Sequence, residues 1–359
     1  MASDSLRIGK IWGIDINLHW TFLMLMLLFL VLSEKIFIIF LLLFVCVLIH
    51  ELAHSFTSIK NGIKVREIVL TPIGGASMID QADINPRVEF NIAVVGPLMS
   101  FLLGGIFGIF VIFSRQGTLT FMLQILFELN IALGVLNILP AFPLDGGRVF
   151  RSYLRRKYDY FKATIITVKL SKYMAGLFVL LPAIYLYFVN ASLEYKLFEF
   201  FIYVIVAFFL YGGAQAELQN VMLKRATKGM TISRVVSKGF ITVQPSIGIG
   251  RLYGLVEKKG ISIVLTKKDG KYMLIDLFRK RAPGNLTAGD LSLDVPVLKP
   301  NAGMVEAMQS IEISGRGIAI VVKGSRPLGI VTSQHLSAFI SLHMMSLAAH
   351  GSRRETKAI

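Results

Sequence analysis

Fourteen consecutive residues, 36–49, carry no charged, amide or hydroxyl side chain, and the polar groups that follow are His50, Glu51 and His54 of "HELAH". Such a run leaves a chain few folds. A helix that crosses a bilayer core needs about 20 mostly apolar residues at about 1.5 Å each. Six stretches meet that measure: 16–32, 36–59, 92–113, 119–139, 173–189 with Pro182 inside it, and 197–211. The 359 residues are 54% hydrophobic with a mean hydropathy of +0.66, well beyond an ordinary soluble chain. A polytopic α-helical membrane domain embedded in a lipid bilayer is therefore expected. With Cys46 as the single cysteine, no intramolecular disulfide is open to it. The first apolar stretch lacks a small-residue cleavage site and leads straight into the second, so no cleavable signal is expected.

The formal net charge of +16 has a topological reading. Arg7 and Lys10 precede the first stretch, and Lys60, Lys64, Arg66 and Arg87 separate the second from the third. Arg148, Arg151, Arg155, Arg156, Lys157 and Lys162 separate the fourth from the fifth, and Lys224, Arg225 and Lys228 follow the sixth. The opposite loops hold only Lys35, Arg115 and Lys196. This bias places the N-terminus and the C-terminal region in the cytoplasm of a multi-pass cell-membrane protein. It also accounts for the charge without nucleic acid as a partner.

Beyond about Lys224 the composition turns to a soluble α/β pattern with an internal repeat. "FITVQPSIGI" is echoed by "VPVLKPNAGM", and "KKGISIVLTKKDGKYMLIDL" by "GRGIAIVVKGSRPLGIVTSQ". Each copy reads as a strand, a helix (248–258; 304–311), two strands joined by a glycine-containing turn, and a final helix. The expected organisation is a membrane domain over 1–215, a linker over 216–228, tandem units over about 229–285 and 286–345, and a disordered tail over 346–359.

"HELAH" places two imidazoles four residues apart on one helical face, about 6 Å along the axis. They can chelate one zinc ion, and Glu51 can reach a water at the metal as its base. Three polar residues in an apolar span are costly unless paired or functional. A catalytic zinc needs a third protein ligand. Glu67 and Glu89 are candidates, but they stand near Arg66 and Arg87, where salt bridging accounts for them. Glu128 could be a ligand or pair with a neighbouring helix. Asp145 in "NILPAFPLDGGR" is the better candidate. Pro140 and Pro143 end a helix there, and Gly146 and Gly147 let the backbone turn sharply. Irregular backbone near membrane depth is tolerated only where it lines a cavity or is buried in protein.

"HELAH" in the second apolar helix, with "NILPAFPLDGG" some ninety residues on, resembles the site-2 protease family of intramembrane zinc metalloproteases. The branch it resembles carries a C-terminal pair of CBS domains. The likeness covers about 1–215 for the protease and 229–345 for the CBS pair. It implies that His50, His54 and Asp145 bind zinc, that Glu51 is general base, and that Asn137 lies near the substrate or the oxyanion. A helix–helix hydrogen bond is the alternative for Asn137. "VREIVLTPIGGASMI", 65–79, alternates like a hairpin with a Gly-Gly turn, and in the family its equivalent dips into the membrane beside the site; an unpaired strand edge there could hold a substrate in extended form, with a plain interfacial hairpin as the alternative. "GPLMS" matches the family's Gly-Pro-x-x-Asn with Ser100 in place of the asparagine. Cys46, one turn before His50, is read as packing and His19 as a hydrogen-bonding residue.

CBS pairs commonly bind adenine nucleotides and can form homodimers. Here Thr332 is kept, but His335 and, in the first copy, Lys280 stand where the resemblance puts a ribose-binding aspartate. Nucleotide sensing and a structural or partner-binding role both stay open. The expected function is thus a zinc endopeptidase acting on a single-span membrane protein. Two rivals are a CBS-regulated ion transporter, for which repeat symmetry between membrane halves is not visible, and an inactive membrane scaffold, against which intact "HELAH" and "LDGG" speak.

Overall fold

The computed structural model describes residues 5–65, 67–72, 74–77, 84–261, 263–277 and 286–355. The chain divides into two compact units between Met222 and Leu223. The first opens with strands β1 (Ser5–Ile11) and β2 (Ile14–His19), followed by helices α1 (Trp20–Leu32) and α2 (Glu34–Lys60). Strands β3 (Glu67–Thr71) and β4 (Gly74–Ser77) come next. Helices α3 (Pro86–Phe113), α4 (Thr118–Ile138), α5 (Asp145–Leu154), α6 (Tyr160–Phe188) and α7 (Leu193–Thr227) complete it.

Five helices among the described residues are long and apolar enough to cross a membrane: α2, α3, α4, α6 and α7. The first expected span is corrected. Its head, from Ile16 to His19, is strand β2, and α1 has only 13 residues, about 20 Å. Ile14, Ile16 and Leu18 are buried on the sheet, and His19 caps α1 by accepting from the Thr21 amide. The fifth span begins thirteen residues ahead of its expected start. Asp159 caps α6 by accepting from the Lys162 amide, and Lys172 is held by Gln215 at 2.9 Å. The sheet order is β1-β2-β3-β4, with β2 and β3 parallel and the other pairs antiparallel. Trp12 and Gly13, both at positive φ, form the two-residue turn between β1 and β2, as twisted hairpins favour. Ile14, Ile68 and Leu70 pack with Phe22 of α1, against Phe40, Phe44, Val47 and Leu48 of α2. Thr71 pairs with Gly74, so the glycine pair of the expected hairpin lies in β4 rather than in the turn.

The second unit carries the repeat. Its first copy is β5 (Ile241–Val243), α8 (Ile249–Lys259), β6 (Val264–Lys268) and β7 (Lys271–Ile275). After β8 (Ser292–Leu293), the second copy is β9 (Val297–Leu298), α9 (Met304–Ser314), β10 (Ile318–Lys323), β11 (Arg326–Thr332) and α10 (Ser333–Glu355). The first copy's final helix and Lys280 lie outside the described residues. The lead-in segments are exchanged. Ile232 donates its amide to Ala302, Ser237 pairs with Ile330, and Ile232 is buried among Leu298, Met304 and Ile311 of the second copy. Conversely, Ala288 and Gly289 donate to Ile247 and Pro245, and Leu291 is buried with Leu252 and Val264 of the first copy.

Two boundary expectations change. The segment expected as a linker, 216–228, is helical to Thr227, because it holds strong helix formers and meets no glycine before Gly229. The segment expected as a disordered tail is helical to Glu355 at the end of α10.

Candidate metal centre

Helix periodicity sets His50 and His54 on one face of α2, and both are buried, at 4% exposure each. Helix α3 crosses that face through Gly96, where even a methyl group would collide with His54 and lie 2.7 Å from His50 Nε2. The missing side chain lets α3 supply two orienting partners. His54 Nδ1 donates to the carbonyl of Ile92 at 2.6 Å, and His50 Nδ1 meets Ser100 Oγ at 2.9 Å. With each Nδ1 so engaged, each Nε2 presents a lone pair inward.

Asp145 arrives from the other side as the first residue of α5. Its Oδ2 lies 3.0 Å from His50 Nε2 and 2.9 Å from His54 Nε2, and the two Nε2 atoms are 3.1 Å apart. Gly146 and Gly147 sit in the first turn of α5 rather than in a sharp bend. A Cβ on Gly146 would strike the carbonyls of Ile138 and Leu139, so these glycines let α5 press against the end of α4. The loop before Asp145 is pinned in turn. The Phe142 amide donates to Ser171 Oγ at 2.8 Å, and Pro143 lies against the bare backbone of Gly213.

Behind Asp145, Arg151 is 1% exposed. It is bound to Glu89 of α3, with Nε to Oε1 at 2.7 Å, and to Glu217 of α7, and it stacks on Phe142 and Tyr160. Arg155 adds a 2.8 Å bond to Glu89 Oε2. Burial opposes the Arg151 charge, but Glu89 and Glu217 outweigh it and push the guanidinium pKa up. Two imidazole nitrogens and one carboxylate oxygen, all within 4.8 Å of one another, form a donor set suited to zinc. A three-ligand set leaves a coordination position for substrate or water.

Comparison with known proteins agrees. The model of peptidase family M50 matches residues 38–116 and 113–181. A zinc metalloprotease of Methanocaldococcus jannaschii is 34% identical over 251 residues, covering 68% of this chain and 70% of that protein. The chain belongs to peptidase family M50. Rip3 of Mycobacterium tuberculosis aligns with this M50 peptidase at 27% identity, covering 96% of this chain and 94% of that one. The solved site-2 protease from Methanocaldococcus jannaschii is 36% identical and covers 60% of this chain and 95% of that one, with a TM-score of 0.47. A solved CBS-domain protein from Bacillus anthracis covers 33% of this chain at 17% identity and a TM-score of 0.28. The M50 peptidase is a site-2-type zinc metalloprotease, and the relatives and the buried histidine–aspartate cluster support zinc as its metal.

The residues named from sequence separate into two groups in the M50 peptidase. His50, His54 and Asp145 converge, and Glu51 adjoins them, with His54, Asp145, His50 and Arg148 as the charged groups around it. The other proposed third ligands are engaged elsewhere: Glu67 accepts from Asn17 at 2.5 Å, Glu89 from the two arginines, and Glu128 from Gln124 at 3.0 Å. Asn137 donates to the Leu133 carbonyl of its own helix at 3.0 Å. Cys46 accepts from Asn130, and His19 bonds Thr21. Thr332 accepts from the His335 amide at the head of α10, and the His335 side chain is exposed. Gly96 and Ser100 were named from sequence only as part of a family motif, and it went unread that Ile92, Gly96 and Ser100 together face the two histidines of α2. Their spacing of four mirrors that of His54, His50 and Cys46, and that match was the available signal.

Proposed function

We propose that this peptidase hydrolyses a peptide bond in or near a membrane-spanning segment of a single-span membrane protein, with Glu51 as general base. The observation that carries the reading is the setting of Glu51. It follows His50 directly in α2, is surrounded by the metal-binding cluster, and makes no hydrogen bond or ion pair of its own among the described residues. His50 and His54 lie ten and six residues before the end of α2 at Lys60, about 9–15 Å along the helix, which supports cleavage at membrane depth.

His50, His54 and Asp145 would hold zinc. The ion, when bound, supplies Lewis acidity that polarises a carbonyl and brings water into range of deprotonation near neutral pH. Glu51 accepts the proton from water on its carboxylate and delivers it to the departing amine nitrogen. Asn137, near the end of α4, is the residue we assign to a substrate N–H through its Oδ1. Strand β4 is an edge of the sheet, which supports binding of substrate in extended form. The parallel pairing of β2 with β3 brings the chain before α1 and the chain after α2 to one end. With the basic loops, this supports a cytoplasmic N-terminus and C-terminal unit. Adenine nucleotide at the C-terminal pair, through Thr332 and exposed His335, is the regulatory part of the proposal.

The test compares the purified full chain with Glu51→Gln on a panel of single-span substrates, with and without a zinc chelator. Cleavage abolished by either change, with zinc retained in Glu51→Gln, is the expected result. Cleavage that survives the substitution overturns the assignment. ATP is then titrated into the same assay.

A further inference from the structure

The bond between His50 and Ser100 leaves one proton without an acceptor. For His50 Nε2 to face a metal, its Nδ1 carries the hydrogen, and Ser100 Oγ accepts it at 2.9 Å. The serine hydroxyl must then donate elsewhere. Several other buried hydroxyls of the bundle bond back to the carbonyl four residues earlier, Ser58 to His54, Thr167 to Ala163 and Ser171 to Thr167, while Ser55 has no partner among the described residues. Ser100, 1% exposed, makes no such bond among the described residues.

The opposite deficit lies one helical turn away. Asn130 of α4 is fully buried. Its Nδ2 donates to Cys46 Sγ at 3.1 Å and to the Leu126 carbonyl at 2.8 Å, while its Oδ1 has no partner. Cys46 precedes His50 by one turn of α2. Gly104 follows Ser100 by one turn of α3, and a Cβ at Gly104 would stand 3.5 Å from Asn130 Cβ. A buried hydroxyl that needs an acceptor and a buried acceptor without a donor thus stand one helical turn apart at the meeting of α2, α3 and α4, a polar gap of the kind a buried water fills. Buried waters occupy such places when polar groups on both sides hold them, and Cys46 Sγ is at hand for the water's second proton.

We propose that Asn130 is a positioning residue for the metal ligand His50, acting through one buried water that accepts from Ser100 and donates to Asn130 Oδ1. The inference rests on the reading of His50 as a zinc ligand. The relay fixes the tautomer and plane of the imidazole from behind, in protein dry enough that no bulk water can substitute.

The test is zinc affinity of the purified full chain, read by competition with a chromophoric chelator. Ser100→Ala and Asn130→Leu are each expected to weaken zinc by about 10–100-fold. The double variant is expected to be no weaker than Ser100→Ala alone, because both changes act on one ring through one path. Melting of the metal-free forms separates folding from positioning, and Asn130→Ala serves if the leucine variant does not fold. Wild-type zinc affinity in the Asn130 variants, or effects that sum fully in the double variant, overturns the proposal. A wild-type chain that binds no zinc instead overturns the metal reading beneath it.

Discussion

Gly96→Ala adds one methyl group, and its effect follows from the crossing of α2 and α3. The new Cβ would lie 2.7 Å from His50 Nε2 and closer still to His54, where ordinary contact begins at 3.4 Å. The helices must part by at least about 0.7 Å, or the His54 ring must swing off the Ile92 carbonyl. Metal sites hold their ligand distances to within about 0.2 Å, so either response exceeds what coordination tolerates. Overpacking of this kind costs about 1–3 kcal/mol of fold stability, which a bundle of this size survives. The expected variant is therefore folded but depleted of zinc and inactive, with zinc affinity down by more than about 100-fold, beyond the usual effect of losing an outer partner. Chelator competition and circular dichroism on the same sample measure the two halves. A Gly96→Ala protein that binds zinc like wild type would refute the reasoning, since α3 could not then lie against the histidine face.

Arg151→Met should destabilise the membrane unit by about 3–5 kcal/mol, because Glu89 and Glu217 keep their buried charges without a partner; adding Glu89→Gln should recover part of the loss, read by melting in detergent. Chelation of a zinc-loaded chain should lower its melting temperature, by the equivalent of about 2.7 kcal/mol when free zinc had stood at a hundred times its Kd. Ile232→Ala should cost about 2–5 kcal/mol in the C-terminal unit, since Ile232 is fully buried in the second copy's core. The backbone amide and then the hydroxyl of Thr287 bond Asp290 and hold its carboxyl below the usual range. Its contribution is fully present at neutral pH and is lost as pH falls through that depressed value; Asp290→Asn should flatten the acid limb of a melting curve against pH.

The clustering of His50, His54 and Asp145 was legible because helical periodicity and helix breakers are local. A spacing of four in an apolar run fixes His50 and His54 on one face, and two prolines beside two glycines mark where Asp145 leaves the regular helix. What escaped is what helices contribute to one another. Ser100 and Ile92 matter only because Gly96 lets α3 close on α2, and no single-segment pattern reports that. The head of the first expected span was misread because Ile16 and Leu18 raise hydropathy as much in a strand as in a helix. Lys162, Lys169 and Lys172 hid the start of α6; Lys172 is satisfied by Gln215 and the Tyr211 ring, which lie some forty residues on. Glu89 read as the partner of its sequence neighbour Arg87, yet its charge is answered by Arg151 and Arg155.

The exchange of lead-in segments in the C-terminal unit bears on how such a repeat could arise. Thr231 and Ile232 complete the second copy as Thr287 and Ala288 complete the first, so the debt is symmetric. A lone copy on its own chain would have lacked a strand and a core residue, and could have found them only in another molecule, as a swapped dimer. Duplication within one chain turned that meeting of two molecules into an intramolecular one. The repeat is therefore the covalent form of a dimer, and its natural unit of inheritance is the pair.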